Sequence, residues 1–120
     1  MKNPYLFSYL KIVYNTKKMK ILLISQFYYP ERFSVTDIAE SFVKQGHDVT
    51  VITGKPNYGF DKILDVYKKV KYEELNGVKI HRVNLVARKH SRISIIRNYL
   101  SFHRNAKRFV RHFKEKFDVV

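Results

Sequence analysis

Residues 26–37, QFYYPERFSVTD, gather flat rings, a guanidinium and a hydroxyl in one short stretch between an apolar run and an amphipathic one. Phe27, Tyr28 and Tyr29 offer stacking surfaces, and Arg32 offers a planar fork of donors that suits an anion. Ser34 and Val35 stand where the first amides of a helix can face a ligand. A second stretch, GKPNYG at 54–59, adds Lys55, Asn57 and Tyr58, which suit a polyhydroxylated or phosphorylated ligand. Each stretch also has a purely structural reading. The rings can plug the top of a sheet with Glu31–Arg32 as a solvated pair, and Pro56-Asn57 followed by Gly59 is ordinary turn chemistry. Residue type alone leaves both readings open.

Other chemistries lack their parts. Neither G-x-G-x-x-G nor a P-loop occurs, and Gly46, Gly54, Gly59 and Gly77 all lie outside the first loop, so dinucleotide binding and P-loop ATPase chemistry are not expected. Cysteine is absent, which removes disulfides and thiolate zinc sites. The histidines at 47, 81, 90, 103 and 112 fall on separate expected elements or at spacings unlike metal motifs, so no metal is expected.

The elements that must position these residues follow from periodicity. KILLIS (20–25) is a continuous apolar run, the pattern of a strand buried on both faces. Val35, Ile38, Ala39, Phe42 and Val43 then form one helical stripe. Ser34 with Asp37 resembles a capping box, and Gly46 suits the helix end. DVTVITG (48–54) is a second strand, so strand, helix and strand make a parallel βαβ unit. In such a sheet ligands bind beyond the carboxyl ends of the strands, which is where both stretches fall.

Residues 55–69 show no clean period and read as a long loop with room for one short helix. Asn76-Gly77 between two extended runs is a strong hairpin signal that could equally link two strands placed elsewhere, with KIHRVNLV (79–86) the better strand. Residues 92–116 read as one helix. Ile95, Tyr99, Phe102, Ala106, Phe109 and Phe113 are expected on its buried face, and Arg97, Ser101, Arg104, Arg108, Arg111 and Glu115 on the opposite one. The chain closes on FDVV, the opening of another apolar strand, so the domain is expected to be incomplete at its C-terminus. The fold class expected is α/β, a Rossmann-like parallel sheet flanked by helices.

The net charge of +14 is unevenly spread. Residues 1–18 carry four lysines and no acid, 19–87 are near balance, and 88–120 carry ten basic groups against Glu115 and Asp118. Charge gathered at the two ends points to a localised anionic partner. No stretch approaches the ~20 apolar residues of a spanning helix. YLFSYLKIVY near the start is interrupted by Lys11 and lacks a small-residue cleavage site, so residues 1–18 read as an extension ahead of a domain beginning at Met19.

The stretches MKILLISQFYYPERFSVTDIAESFVKQGHDVTVITGKPNY and NGVKIHRVNLV resemble the N-terminal domain of family 4 glycosyltransferases, which have the GT-B architecture. The likeness is to the capsule and colanic-acid type of bacterial sugar transferase and spans residues 19–120. It implies retaining transfer of a sugar from a nucleotide-sugar donor without a catalytic metal. The donor would sit on a second, C-terminal domain, so no cofactor is expected on this chain, and the catalytic residues are left unassigned. The acceptor, a glycan or lipid-linked saccharide, would face Tyr28, Tyr29, Arg32, Ser34, Lys55, Asn57 and Tyr58. Arg97, Arg104, Arg108 and Arg111 would meet an anionic membrane surface, placing the protein in the cytoplasm against the inner face of the plasma membrane. The chain alone would be inactive.

Two other classes compete. The net charge suggests a non-enzymatic basic module for nucleic acid or an anionic membrane. No helix-turn-helix, RRM or zinc-finger signature accompanies it, so nucleic acid is not the expected partner. A flavodoxin- or receiver-like domain is the third. A receiver needs acids beside the first strand, where Gln26-Phe27-Tyr28 stands.

Overall fold

The computed structural model describes residues 5–6 and 17–120. The extension expected over 1–18 therefore lies largely outside the described residues. The rest is an α/β fold. The order is β1 (Lys20–Ile24), α1 (Ser34–Lys44), β2 (Asp48–Gly54), a 3-10 turn (Asp65–Tyr67), β3 (Tyr72–Leu75), β4 (Val78–Val83) and α2 (Arg92–His112). Among the described residues the sheet runs β1-β2-β4-β3. The β1–β2 and β2–β4 pairs are parallel, and β3 is antiparallel to β4.

Alternation sorts the sheet's side chains into two layers. Ile21, Val49, Val51, Val78 and Ile80 meet Ala39 and Phe42 of α1, with Tyr28 in the same cluster. Leu22, Ile52 and Val83 meet Phe102 and Ala106 of α2. Both faces of β2 are thus covered, which is why its sequence shows so little alternation. The hairpin turn places Asn76 at φ 52° and Gly77 at φ 81°, both positive as a two-residue turn between paired strands requires. Gly77 also lies against α1, where an added Cβ would stand 2.7 Å from Val43 Cγ1.

Four expectations are corrected. The α1 N-cap is Phe33, with no side-chain cap bond, so Ser34 and Asp37 form no capping box. Ile38 is exposed although it belongs to the apolar stripe of α1. Strand β4 stops at Val83, because the chain turns away to pack Leu85 over the second cluster. Helix α2 ends at His112 and not at 116, because the following segment is drawn to the free edge of β1. There Val119 forms a parallel bridge with Ile21, and Lys20 N–H donates to Asp118 Oδ2 at 2.7 Å. A backbone paired with a strand cannot continue as helix.

The face of α2 is rotated as well. Ile95 and Tyr99 are exposed, and Asn98 joins Phe102 and Ala106 as the buried set. The polar Asn98 turns inward because it finds partners there, as described below.

Gly77→Ala is expected to destabilise the fold by about 1–2 kcal/mol, since it strains a positive φ and drives a methyl into Val43. The urea midpoint should fall with the slope unchanged. Asn76→Ala, which strains φ without the clash, should cost less.

Candidate functional site

The parallel strands bring the ends of β1, β2 and β4 side by side. Ser25 N–H donates to Ile52 O at 3.0 Å, and Lys55 N–H donates to Val83 O at 3.2 Å. The segments that follow these strands meet at one edge of the sheet. Phe27 and Phe33 stack there with centroids 4.9 Å apart. Tyr58 sets its edge against both, at 5.2 and 5.3 Å. The Arg88 guanidinium lies 4.8 Å from the centre of the Tyr58 ring. Beside this patch is a groove of about 600 Å³, lined by Tyr29, Glu31, Arg32, Phe33, Ser34 and Asp37.

The residues singled out by type are not all brought together. Tyr29, Arg32, Ser34 and Tyr58 are exposed, the first three along the groove and Tyr58 in the patch. Tyr28 points the other way, fully buried against α1, and its hydroxyl has no partner among the described residues. Burial, reinforced by the charge of Glu40, pushes its pKa up to about 12. Lys55 is buried, and its ammonium donates to the carbonyl of Lys68. Burial first, and then Lys71, holds its pKa below the usual lysine value. Asn57 is also fully buried. Its Nδ2 donates to Lys55 O at 2.9 Å, and its Oδ1 accepts from Arg88 N–H at 2.9 Å and Asn98 Nδ2 at 3.0 Å. Lys55 and Asn57 thus shape the mouth from behind, and their polar atoms already have partners.

Three residues outside the set expected to face a ligand hold this edge together. The Arg82 side chain is completely enclosed, paired with Glu73 at 2.8 Å. It also donates to Gly54 O at 3.2 Å and to Tyr29 O, and lies 4.7 Å from the Tyr67 ring centre. Its signal was legible, because alternation puts Arg82 in phase with buried Val78 and Ile80. Glu31 is 4% exposed, and its Oε2 accepts from Asn57 N–H at 3.0 Å and Tyr58 N–H at 2.6 Å. Its Oε1 has no partner among the described residues. Asn98 donates to Val86 O at 2.7 Å as well as to Asn57, and accepts from Gln26 Nε2. Glu31 is therefore not half of a solvated pair with Arg32, and nothing local in the sequence marks its burial or that of Asn98, since their partners are far along the chain.

On the outer face of α2, Arg97, Arg104, Arg108 and Arg111 are exposed. Ile93, Ile96, Tyr99 and Leu100 are exposed on the same helix, each more than half. Among the described residues no three His, Cys, Asp or Glu side chains are grouped to hold a metal ion. No helix among the described residues is long and apolar enough to cross a membrane. Compared with protein-family models and with curated proteins, the chain matches none.

Burial raises the Glu31 pKa above its ordinary 4.5, against the lowering effect of the amides that bond it. A carboxyl with a raised folded-state pKa contributes stability that is full below 4.5 and lost as pH rises through the folded value. Glu31→Gln keeps an acceptor for the two amides and removes the titration. The stability of the natural chain relative to Glu31→Gln should therefore fall as pH rises above 4.5. Urea unfolding of both chains from acid to neutral pH checks this. A difference that grows with pH would contradict it.

Proposed function

We propose that the chain is the acceptor-facing domain of a two-lobed retaining glycosyltransferase. The observation that carries this reading is the mouth itself. A groove of about 600 Å³ bearing Tyr29, Arg32 and Ser34, with Tyr58 and Arg88 in the adjoining patch, lies beyond the carboxyl ends of parallel strands. That is the usual place for ligands in such sheets, and the volume is within the ordinary range for small-molecule sites. Rings present apolar faces to the C–H faces of a sugar, and Arg32 suits an anionic substituent or phosphate on the acceptor. No glycine-rich loop stands here to cradle a diphosphate. In this reading a glycan or lipid-linked saccharide occupies the groove, and a second lobe supplies the nucleotide sugar.

The exposed face of α2 supports a position at the inner surface of a bacterial plasma membrane. Arg97, Arg104, Arg108 and Arg111 would meet anionic headgroups, each contributing about 1 kcal/mol near the surface. Ile93, Ile96 and Leu100 would enter the headgroup boundary beside them. A non-enzymatic basic module for nucleic acid is the competing reading.

Two measurements separate these. In the two-lobed enzyme Arg32→Ala should lower kcat/KM for the acceptor by roughly 10- to 150-fold, the loss of a charge-assisted contact of about 1.5–3 kcal/mol, with donor KM nearly unchanged. The chain alone should not bind UDP- or GDP-sugars in calorimetry. Normal acceptor kinetics in a folded Arg32→Ala enzyme would remove the mouth from the reading.

The chain should also pellet with anionic vesicles and be released by salt, because exposed charges are screened beyond about 8 Å at physiological ionic strength. Changing Arg97, Arg104, Arg108 and Arg111 to Gln should abolish pelleting without altering the circular dichroism. Preference for nucleic acid over vesicles at equal salt would favour the competing module.

A further inference from the structure

On the α2 face of the sheet, a second groove of about 360 Å³ runs between the end of β4 and the C-terminal half of α2. Val83, Phe109 and Phe113 line it with apolar surface. The two rings stack at 5.1 Å, and each lies 5.0 Å from the ring of His81. Burial holds the His81 pKa below its ordinary value, so the imidazole is neutral at pH 7 and behaves as part of this aromatic layer.

Two cations edge the same groove, Lys71 from the segment before β3 and Arg108 from α2, with the His112 ring beside Arg108. Among the described residues no carboxylate lines it. Among the described residues neither Lys71 nor Arg108 enters an ion pair. Of the acids on the flanking segments, Glu73 pairs with Arg82, Glu115 pairs with Lys20, and Glu74 accepts from the Tyr72 hydroxyl at 2.8 Å. Asn105 is occupied too, donating to Asn84 O at 2.6 Å. The result is a concave apolar surface edged by uncompensated positive charge, a form that concentrates anions.

We propose that this groove binds a phosphate monoester carried on an apolar chain. The phosphate sits between Lys71 and Arg108, whose guanidinium matches two phosphate oxygens at once while the ammonium adds a point charge. The apolar chain lies over Phe109 and Phe113. Both halves are needed: inorganic phosphate would leave the rings wet, and an alcohol would leave the cations without a counter-charge. The proposal does not depend on the sugar-transfer reading, because the groove and the mouth are lined by different residues.

Calorimetry on the whole chain, with decyl phosphate below its micelle concentration and no bilayer present, tests it. Decyl phosphate should bind saturably and at least about tenfold more tightly than either inorganic phosphate or decanol. Arg108→Gln and Lys71→Gln should each weaken binding about tenfold, the scale of one charge-assisted contact. Lys44→Gln removes one charge from α1, on the opposite face of the sheet, and should change binding by less than about twofold. These side chains are exposed, and unchanged circular dichroism confirms that each variant is folded. Tight binding of inorganic phosphate alone would overturn the apolar half of the proposal. Equal weakening by Lys44→Gln would mean general attraction to a basic surface and would overturn the groove as the site, and absence of saturable binding would overturn the proposal outright.

Discussion

The carboxyl edge of the sheet depends on one buried carboxamide. Asn57 receives or gives a hydrogen bond at its backbone nitrogen, its Nδ2 and its Oδ1, reaching Glu31, Lys55, Arg88 and Asn98. Those partners belong to the segments after β1, β2 and β4 and to α2. Three loops and a helix are thus held by polar contacts in a place where loops usually stay wet. Each buried group left without its partner would cost about 1–3 kcal/mol, so removing the carboxamide would loosen the loops after β2 and β4 and their hold on α2, while the Glu31 contact, made by the Asn57 backbone N–H, would remain.

Arg82 serves as a second anchor on the other side of the same loops. A guanidinium has five donors in a fixed plane, which lets one side chain hold Glu73, Gly54 O and Tyr29 O at once. Enclosing such a charge is costly unless its donors are met, and here the nearby carbonyls and carboxylate meet them. The effect on function is a division of labour. Arg82, Glu31, Asn57 and Lys55 direct their chemistry inward, while Tyr29, Arg32, Ser34 and Tyr58 are left free to face a ligand.

Helix α2 has a comparable division. Its inner face combines apolar Phe102 and Ala106 with Asn98, which belongs to the loop network. Its outer face carries charge far beyond what the sheet can neutralise. Arg97 and Arg104 share α2 with exposed Ile93, Ile96 and Leu100, whereas Arg108 edges the aromatic groove. Charge beside exposed apolar side chains suits an extended anionic surface, whereas charge in a groove suits a discrete anion.

The α/β class, the order of the strands and helices, the parallel βαβ unit and the Asn76-Gly77 hairpin were all legible in the sequence. Each rests on a local pattern: a period of 2.0 or 3.6, or a residue that tolerates positive φ. The position of the mouth was legible too, because parallel strands must end at one edge. What only the tertiary structure decided is which side chains face that mouth. Tyr28 and Tyr29 are neighbours of the same type, yet one is buried against α1 and the other borders the groove. Ile95 is exposed and Asn98 buried, against any hydrophobic ranking. Lys55 and Asn57 looked like ligand residues and hold loops instead. These outcomes turn on hydrogen bonds between residues as far apart as Asn57 and Asn98 or Tyr29 and Arg82. Periodicity records only the average burial of one element, whereas such partners exist only after the elements have packed.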